Sequence, residues 1–385
     1  MKTIAVPSVP AALKPLPPEA FAMLAEVYDE ASHAITLYFS RPNLSDKAHR
    51  GEALTFEHLI KTARDRYETH DGSSGLSKDL ARILSMEPEF RGSPRRFRAI
   101  FACKDRDIWQ VVDLPTCGDL SCLEVSQRFQ VVPLLRALEA TAPCCVALVE
   151  RGKARVFLVR GTDAVAMPLL PTADLAVDAE DSRVGWSDHI DGSVRERTKA
   201  YFKTLAQDLH SMMLDLSCGQ LVVGCREDVW SELEPQLIKA GMADMISGRF
   251  HLTNLDMTTD EIAKATKPVV SEKQRRQYSH FWELIRERPE ISAVGVDAVL
   301  RRLEAGSVQT LFLGDLTGKD VTACSRCQSW WNVSTQCPAC GSRQSHLMSA
   351  EEFLARRALA IGARIIAPDM PTAALFGETG ALLRY

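Results

Sequence analysis

Four cysteines near the end of the chain constrain its fold more than any other feature. They form two Cys-x-x-Cys pairs, Cys324 with Cys327 and Cys337 with Cys340. Each pair turns tightly enough to direct two sulfurs at one point, and two pairs supply the four thiolates of a closed tetrahedral site. We therefore predict a structural Zn²⁺ bound by these four cysteines, with no open position for catalysis. Free or redox-active thiols are the alternative.

The composition limits the classes of partner. The chain has 385 residues and a formal net charge of −4, so we expect two or three domains and no overall field that attracts nucleic acid. Any RNA contact must then come from a local patch, and we expect no DNA partner. Seven of the eleven cysteines lie outside the cluster without a disulfide-like pattern, which predicts a reducing cytoplasm. No apolar run approaches membrane-spanning length, so we expect no membrane partner.

Alternating helix and strand patterns predict an α/β protein of three domains. Residues 1–138 are expected to form an α+β N-terminal domain, and residues 139–256 a middle domain. Residues 257–385 are expected to form a C-terminal α/β domain that carries the cysteine cluster (residues 324–340) as an insertion. Five prolines within residues 1–20 predict an extended lead-in rather than a helix.

Local patterns place several elements of the middle and last domains. Two apolar runs, residues 144–150 and 154–159, are separated by a Gly-containing tripeptide, which predicts a hairpin. Amphipathic spacing predicts a long helix over roughly residues 193–216. Residues 258–261 (Thr-Thr-Asp-Glu) and 349–352 (Ser-Ala-Glu-Glu) have the pattern of a capping box, so each is expected to begin a helix.

Several stretches carry a resemblance to a known family. They are residues 146–157 in the middle domain and residues 296–308, 360–363 and 377–385 in the last, the final one reading Gly-x-x-Gly-x-Leu-Leu-Arg-Tyr. With the order hairpin, polar loop, long helix, strand and helix, the chain resembles the class-1 peptide chain release factors of archaea and eukaryotes. It also resembles Pelota, their ribosome-rescue relative. The N-terminal domain is similar to that of the bacterial branch, the Balon-type proteins implicated in ribosome binding and hibernation.

This resemblance implies both a fold and a function. The fold would be a release-factor-like body with a ribonuclease H-like middle domain and an L30e-like C-terminal domain. The function would be that of a ribosome-binding translation factor that occupies the A site and contacts rRNA, in hibernation or in rescue. The resemblance extends the candidate partners to tRNA and to an elongation-factor GTPase.

The chain departs from the release factors at their reactive loop. Those proteins carry a Gly-Gly-Gln triplet there, whose glutamine positions water at the peptidyl-tRNA ester, and residues 181–192 contain no such triplet. The nearest match, Cys218-Gly219-Gln220, adjoins a predicted core strand. The Asn-Ile-Lys-Ser signature of stop-codon reading is also missing from the N-terminal domain. We therefore expect a protein that is not an enzyme and acts by occupancy.

Residues 181–192 and the start of the following helix form the candidate RNA-contacting surface. Its residues combine cations for phosphate with rings for base stacking: Arg183, Trp186, His189, Arg195 and Arg197. The alternative is a solvated loop that leads into an ordinary charged helix face. A second functional class also stays open, a hydrolase of peptidyl-tRNA or RNA that uses residues 181–192. A third is an adaptor that has kept the fold and lost ribosome contact.

Overall fold

The computed structural model describes residues 18–29, 33–40, 46–67, 75–86, 96–115, 120–167, 187–327, 329–331 and 336–384. Within these ranges, only the backbone is described for residues 18–20, 46–53, 96 and 187–195. The chain divides into two compact units. A middle unit contains Ala142–Gln277, and a composite unit combines a first segment, Pro15–Thr141, with a last segment, Tyr278–Tyr385. The mixed α/β class is confirmed. The three domain boundaries and the ribonuclease H-like and L30e-like assignments stay predictions.

The first segment contains a four-stranded antiparallel sheet of spatial order β3-β2-β1-β4. Its strands are β1 (Ala34–Ser40), β2 (Arg96–Cys103), β3 (Ile108–Pro115) and β4 (Ser121–Ser126), and its helices are α1 (Pro18–Glu26), α2 (Asp46–Tyr67), α3 (Gly75–Ser85) and α4 (Val132–Ala140). Alternate side chains of β1 point to opposite faces, so Leu37 packs with residues of α2 and α3, and Tyr38 with residues of α1 and α4. Because both faces are covered, all seven residues of β1 are buried.

Helix α1 corrects the prediction of an extended lead-in over residues 1–20. The helix begins at Pro18, so residues 18–20 are helical, while residues 1–17 lie outside the described residues. Proline is compatible with a first helical turn because the N–H groups of that turn have no intrahelical partner. The prediction was wrong because it treated Pro18 only as a helix breaker.

The middle unit contains a five-stranded mixed sheet of order β7-β6-β5-β8-β9. The strands are β5 (Cys144–Glu150), β6 (Lys153–Arg160), β7 (Asp163–Ala166), β8 (Leu221–Cys225) and β9 (Ile246–His251). The helices are α5 (Ser187–Asp215), α6 (Glu227–Lys239) and the part of α7 (Thr259–Glu287) up to Gln277. The predicted hairpin is confirmed as β5 and β6, and Gly152 takes a φ of 83° in its turn. Helices α5 and α6 pack on one face of the sheet, and the first half of α7 packs on the other.

The last segment contains a four-stranded sheet and a smaller inserted sheet. The larger has the order β10-β16-β11-β15, and the smaller has the order β13-β12-β14. The strands are β10 (Ser292–Val294), β11 (Val308–Phe312), β12 (Asp320–Cys324), β13 (Trp330–Trp331), β14 (Ser345–Ser349), β15 (Arg364–Ile366) and β16 (Gly380–Leu383), and the helices are α8 (Val296–Glu304), α9 (Ala350–Ala360) and α10 (Met370–Phe376). The small sheet lies between β11 and α9 in the chain, so the cysteine cluster is an insertion into this α/β segment.

A buried carboxylate on α9 joins the last segment to the first. Glu352 is 3% exposed and accepts hydrogen bonds from the backbone N–H groups of Val131, at 3.0 Å, and Val132, at 2.7 Å. Valine has no side-chain acceptor for its own helix start, so Glu352 caps α4 from elsewhere in the sequence. One helical turn later, Arg356 donates to two backbone carbonyls of the first segment. The two segments are therefore held together by charged groups that reach main-chain atoms.

The two predicted capping boxes had different outcomes. At the start of α7, Thr258 Oγ1 accepts from the N–H of Glu261, at 3.3 Å, and the Glu261 carboxylate accepts from the N–H of Thr258, at 2.8 Å. That prediction is confirmed. At the start of α9, Ser349 is the N-cap residue, but its hydroxyl makes no capping bond. The helix thus begins where the sequence predicted, but without the box, because Glu352, the residue that would complete it, accepts from the start of α4 instead.

Candidate functional site

The four cysteines predicted to bind a metal converge on one point of the last segment. Their sulfurs all lie within 4.8 Å of one another. Cys324 Sγ is 3.6 Å from Cys340 Sγ, and Cys327 Sγ is 3.5 Å from Cys337 Sγ. Sulfurs around a tetrahedral Zn²⁺ with ordinary bond lengths would be separated by about 3.8 Å. The cluster therefore has the size and the donors of a four-thiolate metal site.

Short backbone turns hold each cysteine pair in place. The N–H of Cys324, at the end of β12, donates to the carbonyl of Ser329 at 2.8 Å, and the N–H of Cys337 donates to the carbonyl of Ser342 at 2.8 Å. Gly341 follows the second pair with a φ of 71°, in the left-handed region that favours glycine. The two pairs thus turn back on themselves, which directs their sulfurs inward.

Hydrogen bonds favour the charged form of two of the thiols. The hydroxyl of Ser329, together with its backbone N–H, lowers the pKa of Cys327 to about 6. The backbone N–H of Cys327 lies 3.5 Å from Cys324 Sγ and lowers the pKa of that thiol. Because the thiolate is the metal-binding form, these hydrogen bonds favour a cation at Cys324 and Cys327, whereas the sulfurs of Cys327 and Cys324 raise the pKa of Cys340 to about 12. Trp331 packs against the buried side of the cluster and is 8% exposed.

The candidate RNA surface coincides in part with a helix. Helix α5 begins at Ser187 rather than at residue 193, so residues 187–192 are helical and not part of a loop. Gly192, which the prediction assigned to the loop, lies inside this helix. Glycine in a helix costs about 1 kcal/mol relative to alanine, which a long packed helix tolerates. Residues 181–186 lie outside the described residues.

The five predicted RNA-binding residues differ in how much of each the structure describes. Arg183 and Trp186 lie outside the described residues, and for His189 and Arg195 only the helical backbone is described. Arg197 is exposed on α5. Helical geometry places it on the opposite flank of α5 from Lys199 and Lys203, which are exposed one turn apart. The cations of α5 therefore occupy two flanks of the helix rather than a single stripe.

The nearest match to a Gly-Gly-Gln triplet adjoins the core of the middle unit. Cys218 is 2% exposed, and its Sγ lies 3.4 Å from the carbonyl oxygen of Pro143. The adjoining strand β8 is buried along its whole length. The triplet therefore adjoins a core strand, as the sequence predicted, although Gly219 is exposed and Gln220 is half-buried.

A second group of possible metal ligands was not found from the sequence. His33 Nδ1 lies 2.7 Å from Asp105 Oδ2, and the backbone N–H of His33 donates to Asp29 Oδ2 at 2.9 Å. Asp105 is separated from the other two residues by most of the first segment, so no spacing rule could have brought them together.

No helix in the described part of the chain is both long enough and apolar enough to cross a membrane.

Comparison with known proteins gives one family match. Residues 130–269 match the family described as bacterial archaeo-eukaryotic release factor family 10. This range begins just before α4 and includes all five strands of the middle unit. No curated protein matches the chain. The match therefore covers the unit that contains α5 and the candidate RNA surface.

Solved structures of low sequence identity are similar to the chain. They include an archaeal translation termination factor, aRF1, with 14% identity, 96% of this chain and 99% of that chain covered, and a TM-score of 0.25. Archaeal Pelota, in a ribosome-bound model with ABCE1, has 11% identity, 99% of each chain covered and a TM-score of 0.39. Dom34 of S. cerevisiae has 12% identity, 96% and 92% covered, and a TM-score of 0.38. The middle unit of the chain is therefore similar to the bacterial archaeo-eukaryotic release factors of family 10.

Proposed function

We propose that this protein is a ribosome-binding translation factor that occupies the A site, in hibernation or in rescue, without hydrolysing peptidyl-tRNA. The observation that carries the proposal is the match of residues 130–269 to a family of release-factor-like proteins. The sequence contains no Gly-Gly-Gln triplet, which supports action by occupancy rather than by ester hydrolysis. On this proposal the protein works in the cytoplasm, with rRNA as its main contact and with tRNA and an elongation-factor GTPase as further partners.

We propose that the N-terminal part of α5 and the residues before it make the rRNA contact. The group consists of Arg183, Trp186, His189, Arg195 and Arg197. Arginine contacts to phosphate weaken as salt rises, because each contact releases condensed cations from the RNA. The exposed position of Arg197 on α5 supports this role.

Sedimentation of ribosomes tests the proposal. Tagged protein from growing and from starved cells is expected to travel with ribosomes and to dissociate at high salt. A variant carrying Arg195→Gln and Arg197→Gln should bind less tightly and lose salt dependence. A matched variant, Arg275→Gln with Arg276→Gln, changes two exposed arginines that pair with Glu272 and should bind normally. Protein that stays free of ribosomes in both growth states would exclude the proposal.

Peptidyl-tRNA assays separate occupancy from hydrolysis. Purified wild-type protein is expected to leave the ester bond of ribosome-bound peptidyl-tRNA intact while competing with A-site ligands. Hydrolysis by the wild-type protein that is lost in His189→Ala would instead establish the hydrolase.

We also propose that the cysteine cluster binds Zn²⁺ as a structural ion. The sulfur separations of 3.5 and 3.6 Å and the lowered pKa of Cys327 fit four-thiolate coordination. A bound Zn²⁺ would supply cross-links that hold the small sheet β12–β14 together. The four thiols would hold it, with Trp331 covering the buried side.

Metal content of the purified protein tests the zinc proposal. Wild-type protein should contain about one zinc per chain by elemental analysis, the number that one four-cysteine site holds. The double variant Cys327→Ser and Cys340→Ser should contain almost none. Cys122→Ser alters a partly buried cysteine outside the cluster and should keep the metal. Equal zinc in the double variant, or a disulfide in place of the metal in protein isolated under reducing conditions, would refute the proposal.

A further inference from the structure

An open cleft of about 870 Å³ lies in the last segment, away from the cysteine cluster. Its walls are the end of α7, strand β10 and helix α8. Trp282 of α7 packs with Phe312, whereas Leu300 of α8 packs with Leu311. Neighbouring residues of β11 face opposite sides of the sheet, so α7 and α8 cover opposite faces. A cleft that touches both helices must therefore lie at the edge of the sheet.

Strand β10 forms that edge. It pairs with β16 on one side, and in the described sheet it has no strand on the other. Both Ala293 and Val294 line the cleft, and Val294 is 44% exposed although it is a β-branched apolar residue. An uncovered strand edge presents backbone N–H and C=O groups that can pair with another extended chain. The cleft therefore offers main-chain pairing together with apolar surface.

Three arginines surround this edge. Arg286 at the end of α7 and Arg301 and Arg302 on α8 line the cleft and are exposed. No Asp or Glu is among the described residues that line it. In the described part of the chain, none of the three guanidinium groups lies within 4.0 Å of a carboxylate. The cleft is therefore cationic, and its charges have no partner of opposite sign within the described residues.

The sequence of α8 explains why these arginines point towards the cleft. Arg301 and Arg302 share one face of the helix with Ala298 and Ala305, at the spacing i, i+3, i+4 and i+7. Between them in the sequence, Val299, Leu300 and Leu303 belong to the core. The small alanines leave space beside β10, and the arginines border that space. One face of α8 thus provides both the open space beside β10 and two of the positive charges of the cleft.

We propose that this cleft binds an extended acidic peptide segment of a partner protein, which adds a strand to β10. Main-chain hydrogen bonds to β10 would give affinity, and acidic side chains on the α8 face of the added strand would reach Arg301 and Arg302. The remaining side chains, on the α7 face that also carries Arg286, would contact Val294. This binding site is separate from the proposed rRNA contact on α5.

Two features favour a peptide over single-stranded RNA. RNA bound without sequence preference stacks its bases on exposed aromatic rings. Trp282, the aromatic residue that lines the cleft, is only 7% exposed and packs into the core. A strand edge with apolar contacts on one side matches an extended polypeptide, whose side chains alternate and whose backbone can pair.

Binding of synthetic peptides to the full-length protein tests the proposal. The probe is a fluorescein-labelled pool of short peptides in which Asp or Glu alternates with Val or Thr, measured by fluorescence anisotropy. A matched pool has Lys in place of the acids, and a labelled single-stranded oligoribonucleotide is the third probe. We expect saturable binding of the acidic pool alone. Loss of one charge-assisted contact should weaken binding roughly tenfold, so Arg301→Gln with Arg302→Gln should weaken it about a hundredfold.

Matched variants distinguish peptide binding in the cleft from nonspecific electrostatic attraction to the protein surface. Arg275→Gln with Arg276→Gln removes the same charge from exposed positions on α7 and should leave peptide affinity unchanged. Glutamine is a good helix former, so α8 should stay folded in the double variant. N-methylation of the peptide amides that face β10 should abolish binding, whereas methylation of the opposite edge should not. Equal loss in both arginine variants, no binding of the acidic pool, or preferential binding of the oligoribonucleotide at Arg301 and Arg302 would overturn the proposal.

Discussion

Replacement of Glu352 by alanine should destabilise the composite unit by about 3 kcal/mol. The change leaves the N–H groups of Val131 and Val132 without their acceptor, and each unsatisfied buried donor costs roughly 1–3 kcal/mol. Arg356 also loses the carboxylate that lies 3.9 Å from its Nε, although it keeps its two backbone acceptors. Burial raises the pKa of Glu352, and release of that desolvation cost offsets part of the loss. The net effect is about a hundredfold or more in the folding equilibrium.

Glu352→Gln provides a graded comparison. The amide oxygen can accept one of the two N–H bonds, but its NH₂ group would face the other donor, so we expect a loss of about 1–2 kcal/mol. Guanidinium unfolding gives the stability of each variant. Hydrogen exchange read by mass spectrometry over residues 127–136 reports the start of α4 directly. Glu352→Ala should increase exchange of the amides of Val131 and Val132 more than elsewhere in the composite unit.

The control is Glu287→Ala, which removes an exposed carboxylate at the end of α7 and should change stability by less than about 0.5 kcal/mol. Equal stability of the Glu352 and Glu287 variants, with unchanged exchange at Val131 and Val132, would show that the carboxylate does not cap α4.

Three further predictions concern the composite unit. Burial raises the pKa of Glu139, so its contribution to stability is full below the ordinary glutamate pKa of about 4.3 and is lost as pH rises through the raised pKa. Glu139→Gln keeps an acceptor for the Tyr278 hydroxyl. It should remove this pH dependence from the free energy of unfolding measured between about pH 4 and 7. Gly314→Ala would place a methyl group 2.1 Å from the carbonyl oxygen of Glu378, and the backbone shift should cost about 3 kcal/mol in chemical denaturation. Phe312→Ala removes a fully buried ring from the centre of an aromatic cluster and should cost about 3–5 kcal/mol in the same assay. The packing would be contradicted if the stability difference between Glu139→Gln and the wild-type protein did not change with pH. Near-wild-type stability of Gly314→Ala or Phe312→Ala would contradict it as well.

Local patterns predicted the elements whose bonds close within a few residues. The two Cys-x-x-Cys pairs, the hairpin at Gly152 and the capping box at Thr258 all depend on atoms close in sequence. The structure places them as expected, since such contacts need little beyond the local backbone. The start of α5 was placed too late because residues 187–192 are mostly polar and lack the amphipathic spacing on which that prediction was based.

Contacts across distant parts of the chain could not be predicted in this way. Ser349 and Glu352 have the spacing of a capping box, yet the carboxylate caps α4 of the first segment. The spacing of Arg286, Arg301 and Arg302 in the sequence does not indicate a shared cleft, and only the sheet edge brings them around one.

By itself, the sequence determined the α/β class, the convergence of the four cysteines and the resemblance to release factors, because these follow from spacing and local hydrogen bonding. Only the tertiary structure decided which helix Glu352 would cap and which charges would border β10. These contacts depend on burial. A buried N–H or carboxylate must form a hydrogen bond or ion pair with whichever group the fold places beside it, however far apart the two are in the sequence.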